Sequence, residues 1–223
     1  MNAQMVWDQY KEVQEWFPDL VLIPADHRYF IRGTLEFRAE FMGEEVKESF
    51  LIEIELLTTY PQSLPIVKEL GGRIPASFHR FNDGSLCLGA PLALRISFSK
   101  APTLLGFIKE LVVPYLYAFS YYKANNHEFP YGELEHGAKG IFKYYKELFQ
   151  VDSDGRVLEI LYRLSFNKIR GHLPCPCGSK FRVRDCHGSM FIELYKYQGA
   201  SEFIHDLNCC WDYVKANGEG RVI

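Results

Sequence analysis

The sequence predicts an α+β fold in which an antiparallel meander of strands is flanked by helices and followed by a small helical tail. Three patterns within its 223 residues support this prediction. Apolar residues near the start recur at helical spacing, two later segments alternate apolar and polar residues as strands do, and two long helical stripes follow them. A short cysteine-rich stretch then marks the tail, so we expect one main domain with an appendage.

The composition is that of an ordinary globular chain, with 48% hydrophobic and 24% charged residues. A formal net charge of -3 argues against broad wrapping of nucleic acid, although it leaves a local basic patch open. Residues 1–13 lack the apolar core of a signal peptide, and the longest uncharged apolar run, residues 111–119, is about half a membrane span. We therefore expect a cytoplasmic protein without a membrane partner, whose six cysteines are metal ligands or reactive thiols rather than disulfides.

The first half of the chain predicts a helix followed by two strands. The helix has Val6, Tyr10, Val13 and Phe17 on one face, and Pro18 ends it. Residues 35–41 then alternate apolar and polar side chains, and residues 51–56 alternate again after an intervening turn. This order is typical of a helix packed on an antiparallel meander with one buried face.

A turn and a single cysteine follow the strands. The Tyr60-Pro61 and Leu64-Pro65 pairs force an extended approach to the segment His79–Gly89, HRFNDGSLCLG, which we call the cysteine loop. Within it Asn82, Asp83 and Gly84 form a turn signal, because Asn and Asp cap their own backbone and Gly accepts positive φ. The turn leads to Cys87, whose two leucine neighbours are expected to face the core while the thiol projects outward.

Two further helices are predicted after the cysteine loop. The first is expected to open at Ser99 and Pro102 and to have an apolar stripe with a kink at Pro114; the stripe consists of Leu104, Ile108, Leu111, Tyr115 and Phe119. A polar turn, residues 125–132, separates it from the second, whose stripe consists of Leu134, Ala138, Ile141, Tyr145 and Leu148. His136 is either a structural residue of this helix or a catalytic partner of Cys87.

Residues 151–155 predict a boundary between a domain of residues 1–150 and a helical region of residues 151–223. In that region Val157, Leu161 and Leu164 predict a connecting helix that stops at Gly171. A last helix, with Ser201 as its N-cap, is predicted from Phe203, Leu207, Cys210 and Val214. We interpret Cys209 and Cys210 as structural, because a free cysteine packs as a small hydrophobe.

The sharpest motif is CPCGSKFRVRDCHG, which offers Cys175, Cys177, Cys186 and His187 as metal ligands. Three thiolates and an imidazole suit tetrahedral Zn²⁺, and four protein ligands leave no position for a reacting water, so the metal is expected to be structural. The motif, within residues 172–190, resembles the SEC-C zinc motif, except that Lys180 replaces its second glycine. The resemblance implies a docking element. Lys180, Arg182 and Arg184 between the ligand pairs form either a basic docking face or solvated loop charges.

The order of strand, YPxxxP, turn, cysteine and long helix over residues 29–149 resembles the catalytic core of ubiquitin-conjugating enzymes, particularly their bacterial relatives. The resemblance implies a ubiquitin-conjugating-enzyme-like fold with Cys87 at the conjugating position. Where the family has an asparagine that stabilises the oxyanion, this sequence has His79, followed by Arg80. His79, or else Asn82, is then expected to donate a hydrogen bond to the oxyanion, whereas the alternative for His79 is a turn residue that packs the loop.

The resemblance further implies a two-step acyl transfer. An activating enzyme would deliver the C-terminal glycyl group of a ubiquitin-like modifier, or of another glycine-ended protein, to Cys87, which would pass it to an amine. Bacterial relatives often lie in anti-phage islands, including cyclic-oligonucleotide (CBASS) systems, in which the glycine-ended protein is a cyclic-oligonucleotide synthase. Two alternatives stay open: a non-catalytic binding module with a zinc docking element, in which Cys87 is a buried hydrophobe, and a cysteine hydrolase.

Overall fold

The computed structural model describes residues 1–130 and 137–217. The chain forms two compact units: Met1–Leu88 with Ser97–Glu133, and Gly89–Ile96 with Leu134–Ile223. This division differs from the boundary that the sequence predicts at residue 150. The reason is that helix Gly137–Phe149 packs its apolar face into the core of the second unit.

The first unit contains the sheet, whose four strands are β1 (Leu20–Ala25), β2 (Arg28–Phe41), β3 (Glu44–Leu56) and β4 (Ile66–Glu69). The strands are antiparallel and lie in chain order, with Ile31 opposite Ile54 in the register of the two long strands. Ile54 and its alternate neighbours on β3 are fully buried, as the period-two pattern predicts. The α+β class with a four-stranded antiparallel sheet and flanking helices is thereby confirmed.

The helices of the first unit are α1 (Ala3–Trp16), α3 (Leu104–Phe107) and α4 (Val113–Ala124), and α2 (Pro91–Lys100) contributes residues to both units. Helix α2 precedes the position at which the sequence predicts the next helix to open, and Thr103 rather than Ser99 caps α3 by accepting a hydrogen bond from the Gly106 amide. The predicted stripe from Leu104 to Phe119 is buried throughout.

A π-helical turn, Ile108–Val112, joins α3 to α4 at the predicted kink. Pro114 explains its position. Proline has no N–H to donate to the carbonyl four residues earlier, and its ring clashes with that carbonyl, so the regular helical ladder is interrupted just before it.

The second unit is helical, with α5 (Gly137–Phe149), α6 (Asp154–Ser165), α7 (Gly188–Leu194) and α8 (Ala200–Asn217). Phe149, Phe191 and Phe203 are almost fully buried in its core. Helix α6 ends before Gly171, and Ser201 lies inside the first turn of α8 instead of capping it. The start of the helix predicted from Leu134, and with it His136, lies outside the described residues.

Cys210 is completely buried on α8, which confirms its structural interpretation, and Cys209 is partly exposed. Across residues 1–130 and 137–217, no helix combines the length and the apolar character needed to cross a membrane.

Candidate functional site

The cysteine loop is attached to the sheet by its backbone. The Cys87 amide donates to the His79 carbonyl oxygen at 2.7 Å, and the Leu86 amide donates to the carbonyl of Val67 on β4 at 2.8 Å. Leu86 is buried, whereas Cys87 and Leu88 are partly exposed. Only the first leucine therefore faces the core as predicted, and Cys87 lies on a fixed backbone that leaves part of the residue open to solvent.

The predicted turn at Asn82 is formed, and Asn82 lies exposed at its tip. Gly84 adopts a φ of 85°. The Asp83 carboxylate accepts from the Ser85 hydroxyl at 2.6 Å and from the Ser85 amide at 3.0 Å, and these bonds lower the pKa of Asp83. On the opposite side Arg80 Nε donates to the Gly84 carbonyl at 3.1 Å. The turn is thus closed from both ends by side chains that the sequence places next to it.

His79 lies opposite Cys87 and has a left-handed backbone, with φ of 38°. Its imidazole is mostly buried and lies edge-to-face with Phe78 and Phe129, at centroid distances of 5.0 and 5.8 Å. The carbonyl oxygen of His79 accepts from the Cys87 amide and also from the hydroxyl of Tyr115, at 3.1 Å. Through its backbone, His79 therefore helps to position the cysteine whatever its ring does.

Tyr115 is a positioning residue that sequence reasoning assigned only to the core. Its hydroxyl donates to the carbonyls of Phe78 and His79, which ties helix α4 to the start of the cysteine loop. Burial raises the pKa of Tyr115 well above its ordinary range, and the nearby Cys87 adds to the rise. The phenol therefore stays protonated as a donor. The sequence does contain one sign of this role, a tyrosine within an apolar helical stripe. A tyrosine buried in this way usually needs a hydrogen-bond partner for its hydroxyl.

Glu69 is a second residue that the sequence did not reveal. Its side chain is buried at the end of β4, and its two carboxylate oxygens accept from the backbone amides of Gly71, Arg73 and Ile74 at 2.7, 3.0 and 3.3 Å. The Ile74 carbonyl in turn accepts from Arg80 Nη1 at 3.0 Å. The carboxylate thus orders the segment whose carbonyl holds the Arg80 side chain of the cysteine loop.

The four predicted metal ligands, Cys175, Cys177, Cys186 and His187, converge into what we call the Cys3His cluster, with all ligand atoms within 4.8 Å of one another. Cys177 Sγ lies 3.6 Å from Cys186 Sγ, and His187 Nδ1 lies 3.4 Å from Cys175 Sγ and 3.2 Å from Cys186 Sγ. A tetrahedron with zinc bond lengths has S···S edges of about 3.8 Å and S···N edges of about 3.5 Å. These three distances are close to those edges, so the group could hold a metal ion.

Two backbone hydrogen bonds bring the two pairs of residues together. The Cys175 amide donates to the Phe181 carbonyl at 2.8 Å, and the Cys175 carbonyl accepts from the amide of Gly178, whose φ is 86°. A side chain at Gly178 would come within 2.9 Å of the Arg156 guanidinium. Lys180 also lies in the left-handed region, with φ of 67°, a conformation that favours glycine.

The thiols of the Cys3His cluster differ in acidity. Burial raises the pKa of Cys175 to about 12. For Cys177 burial acts in the same direction, but it is outweighed by hydrogen bonds from Ser179 and the neighbouring thiols, which lower the pKa to about 6. A cluster that already favours one thiolate suits a cation, because a metal ligand must bind as the thiolate.

No protein-family model matches the chain, and a comparison with curated proteins found no match either.

Proposed function

We propose that the chain is a cysteine-dependent protein-conjugating enzyme with a ubiquitin-conjugating-enzyme-like first unit. The observation that carries the proposal is Cys87 itself. It is a partly exposed residue on a backbone fixed by the His79 carbonyl, directly after a closed turn and a four-stranded meander. A buried structural cysteine such as Cys210 has no such opening to solvent.

The chemistry is acyl exchange in two steps. The Cys87 thiolate attacks the carbonyl of a C-terminal glycyl group that is already activated, a C–S bond forms, and the activating group leaves with the bonding electron pair. An amine then attacks the thioester carbonyl, the C–N bond forms, the C–S bond breaks, and the thiolate returns. The proton that the amine loses passes to solvent or to the departing thiolate.

We assign His79 the donor role at the oxyanion, with Asn82 as the other candidate. His79 lies across the backbone ladder from Cys87, and Asn82 lies at the exposed turn tip. Tyr115 acts on this step only through position, since its hydroxyl already donates to two carbonyls. A single such donor at the oxyanion contributes about 2.7–4 kcal/mol to the transition state.

The resemblance to bacterial ubiquitin-conjugating enzymes suggests the partners: an activating enzyme and either a ubiquitin-like modifier or a glycine-ended target such as a cyclic-oligonucleotide synthase. On the basis of the same resemblance we propose that the protein acts in the cytoplasm, in a bacterial anti-phage system. The neighbouring genes test this setting: an activating enzyme beside a modifier or a nucleotide cyclase supports it.

For the second unit we propose one structural zinc in the Cys3His cluster. Three sulfurs and one imidazole are a donor set that suits zinc, and three of the six interligand distances, at 3.2–3.6 Å, are close to the edges of its tetrahedron. All four positions are filled by the protein, so the metal stabilises the fold and takes no part in acyl transfer.

The experiment that tests the proposed function uses a glycine-ended peptide as its mercaptoethanesulfonate thioester, which replaces the unidentified activated partner. Incubation with the full chain should give one covalent adduct, visible by intact-mass spectrometry and released by a thiol reductant. Cys87→Ala should abolish it. Cys87→Ser should give a slower adduct that resists reductant, because an alkoxide leaves less readily than a thiolate.

Cys209→Ala is the matched control, because Cys209 is also partly exposed but belongs to neither candidate site. It should label as the unmodified chain does. Equal labelling of Cys87→Ala would contradict the assignment, and a chain that never labels while keeping its fold would favour the non-catalytic binding module.

A further inference from the structure

The second unit contains a strongly basic stretch that neither proposal uses. Residues 160–184 include no Asp or Glu, although the whole chain has 28 acidic residues against 25 basic ones. Its six cations are Arg163, Lys168, Arg170, Lys180, Arg182 and Arg184. A local excess of this size in a chain of negative net charge points to a specific role of this surface.

The fold brings the two ends of this stretch together. The chain at 171–174 runs antiparallel to the chain at 181–184: the Val183 amide donates to Leu173 at 2.9 Å, and Pro174 pairs with Arg182. Arg163 on α6 donates to the Pro174 carbonyl at 3.1 Å, which attaches this pair of segments to the helix. Sequence-distant cations are thereby brought side by side.

Exposed aromatic side chains lie among the cations. Phe181, between Lys180 and Arg182 in the sequence, is 64% exposed. Phe166, two residues before Lys168, is 52% exposed. We call the surface formed by these and their basic neighbours the basic-aromatic face; its members are Phe166, Lys168, Arg170, Lys180, Phe181 and Arg182. Each ring thus offers an exposed apolar surface directly beside a cation.

The cations of this face are not neutralised within the described part of the chain. No carboxylate there lies within ion-pair distance of Lys168, Arg170, Lys180 or Arg182, whereas Arg163 and Arg184 each have an acidic neighbour. Lys168 lies over the rings of Tyr162 and Phe166, at 4.5 and 5.8 Å from their centroids. The charges therefore face solvent together with the rings.

We propose that the basic-aromatic face binds single-stranded nucleic acid. Phosphates neutralise an unpaired row of Lys and Arg, and unpaired bases stack on exposed phenyl rings without sequence preference. A duplex offers the phosphates but keeps its bases stacked internally, so it lacks the second interaction. An acidic protein segment likewise satisfies the charges but leaves Phe166 and Phe181 exposed.

Fluorescence anisotropy of a labelled oligo(dT) with the full chain measures this binding. Affinity should fall with salt, and the slope of log affinity against log salt should approach about -0.7 for each phosphate neutralised. Phe181→Ala should weaken binding by roughly 5- to 150-fold, which corresponds to about 1–3 kcal/mol for one stacked base. Arg182→Gln should reduce the salt slope by about 0.7.

Two control variants in the same unit separate this surface from general effects. Lys196→Gln removes the same charge, and Ile192→Ala trims an equally exposed apolar residue at 70% exposure; both lie outside the face and should bind as the unmodified chain does. Unfolding temperatures establish that all variants are folded. Cys87→Ala should bind oligo(dT) unchanged, so this test is independent of the acyl-transfer proposal.

Absence of binding at low salt would overturn the proposal. So would binding that a matched duplex, heparin or polyglutamate reproduces with the same affinity and that Phe181→Ala leaves intact, because the face would then recognise negative charge alone. In the polyglutamate case the partner would be an acidic protein segment.

Discussion

Cys87 in the cysteine loop and the sulfurs of the Cys3His cluster are held in opposite ways. Around Cys87 the protein fixes the backbone, through the His79 carbonyl and the Leu86 amide, and leaves the residue partly exposed. In the Cys3His cluster the side-chain atoms themselves converge, with contacts of 3.2–3.6 Å. A thiol that must exchange partners needs an open side, whereas a thiol that holds a metal needs a closed set of ligands.

Both regions nevertheless share one backbone feature, a residue other than glycine in the left-handed conformation. His79 and Lys180 have φ angles of 38° and 67°, in a region that residues other than glycine rarely occupy. His79 precedes Cys87, and Lys180 precedes Cys186 and His187, at turns of the chain. The two regions therefore differ in what the side chains do and resemble each other in how the chain reaches the site.

The largest predicted effect is loss of the metal. Cys175→Ser combined with Cys177→Ser should remove close to one zinc per chain, measured by elemental analysis, and expose the second unit to protease. The apparent free energy of binding a structural zinc is about 10–16 kcal/mol in zinc-finger peptides, so the loss exceeds what most point variants cause. Adduct formation at Cys87 should persist, since the cluster belongs to the other compact unit.

Cys209→Ser with Cys210→Ser is the control for the zinc content, because it also replaces two cysteines of the second unit but no proposed ligand. A metal-free purified protein with an equally protease-resistant second unit would contradict the zinc assignment. Loss of labelling at Cys87 in the ligand variant would show that the two regions depend on each other.

The second prediction concerns the ring of His79. His79→Ala should slow transfer from the Cys87 adduct to an added amine by about 10²–10³-fold, because one oxyanion donor is lost, while adduct formation slows less. Single-turnover assays separate the two steps. Asn82→Ala is the comparison variant for the other candidate donor. Equal small effects on both steps, or a fall in unfolding temperature like that of a core variant, would leave His79 with its backbone role alone.

Most of the sheet and helices follow from periodicity, because buried faces repeat along the chain. Four elements were not predicted: strands β1 and β4 and helices α2 and α7. Helix α2 was missed because its residues, PLALRISFSK, present no distinct polar face. Strand β1 was missed because it contains Pro24, which is tolerated since β1 is an edge strand of the sheet.

The Cys3His cluster was predictable because its four residues lie within thirteen residues, 175–187, and their spacing is local. Tyr115 and Glu69 were not predictable in their positioning roles. The Tyr115 hydroxyl reaches a carbonyl 36 residues earlier in the chain. Glu69 binds nearby amides, but only its burial distinguishes it from an ordinary charged residue at the end of a strand.

The third prediction compares two buried carboxylates, one in each unit. Glu69 accepts from three backbone amides, so Glu69→Gln should lower the free energy of unfolding by roughly 1.5–3 kcal/mol, because an amide cannot accept through both of its terminal atoms. Asp206 is 1% exposed, and Oδ2 accepts from both Tyr145 and Gln198. Its Oδ1 has no hydrogen-bond partner within the described residues. Asp206→Asn should therefore raise the free energy of unfolding, whereas Glu69→Gln lowers it.

The pKa of Asp206 determines how the stability effect of Asp206→Asn should vary with pH. Burial raises its pKa, and the hydrogen bonds from Gln198 and Tyr145 oppose the rise only in part. A carboxyl whose pKa is raised by folding favours the folded state below its ordinary pKa, and this contribution is lost as pH rises through the folded value. Asp206→Asn should therefore raise the unfolding temperature at neutral pH, and the gain should shrink as pH falls. A loss of stability at neutral pH would mean that the ionised carboxylate is needed.

The smallest predicted effect tests the left-handed backbone conformation that Lys180 shares with His79. Lys180→Gly should be more stable than Lys180→Ala by about 1 kcal/mol, because both variants remove the same charge but only glycine accepts a φ of 67° without strain. For a chain of this size that difference corresponds to about 2–4 °C in the unfolding temperature of zinc-loaded protein. The alanine variant serves as the control for loss of the lysine side chain. If the two variants unfold at the same temperature, the left-handed backbone at Lys180 stores no strain, and the resemblance to the turn at His79 is one of dihedral angle alone.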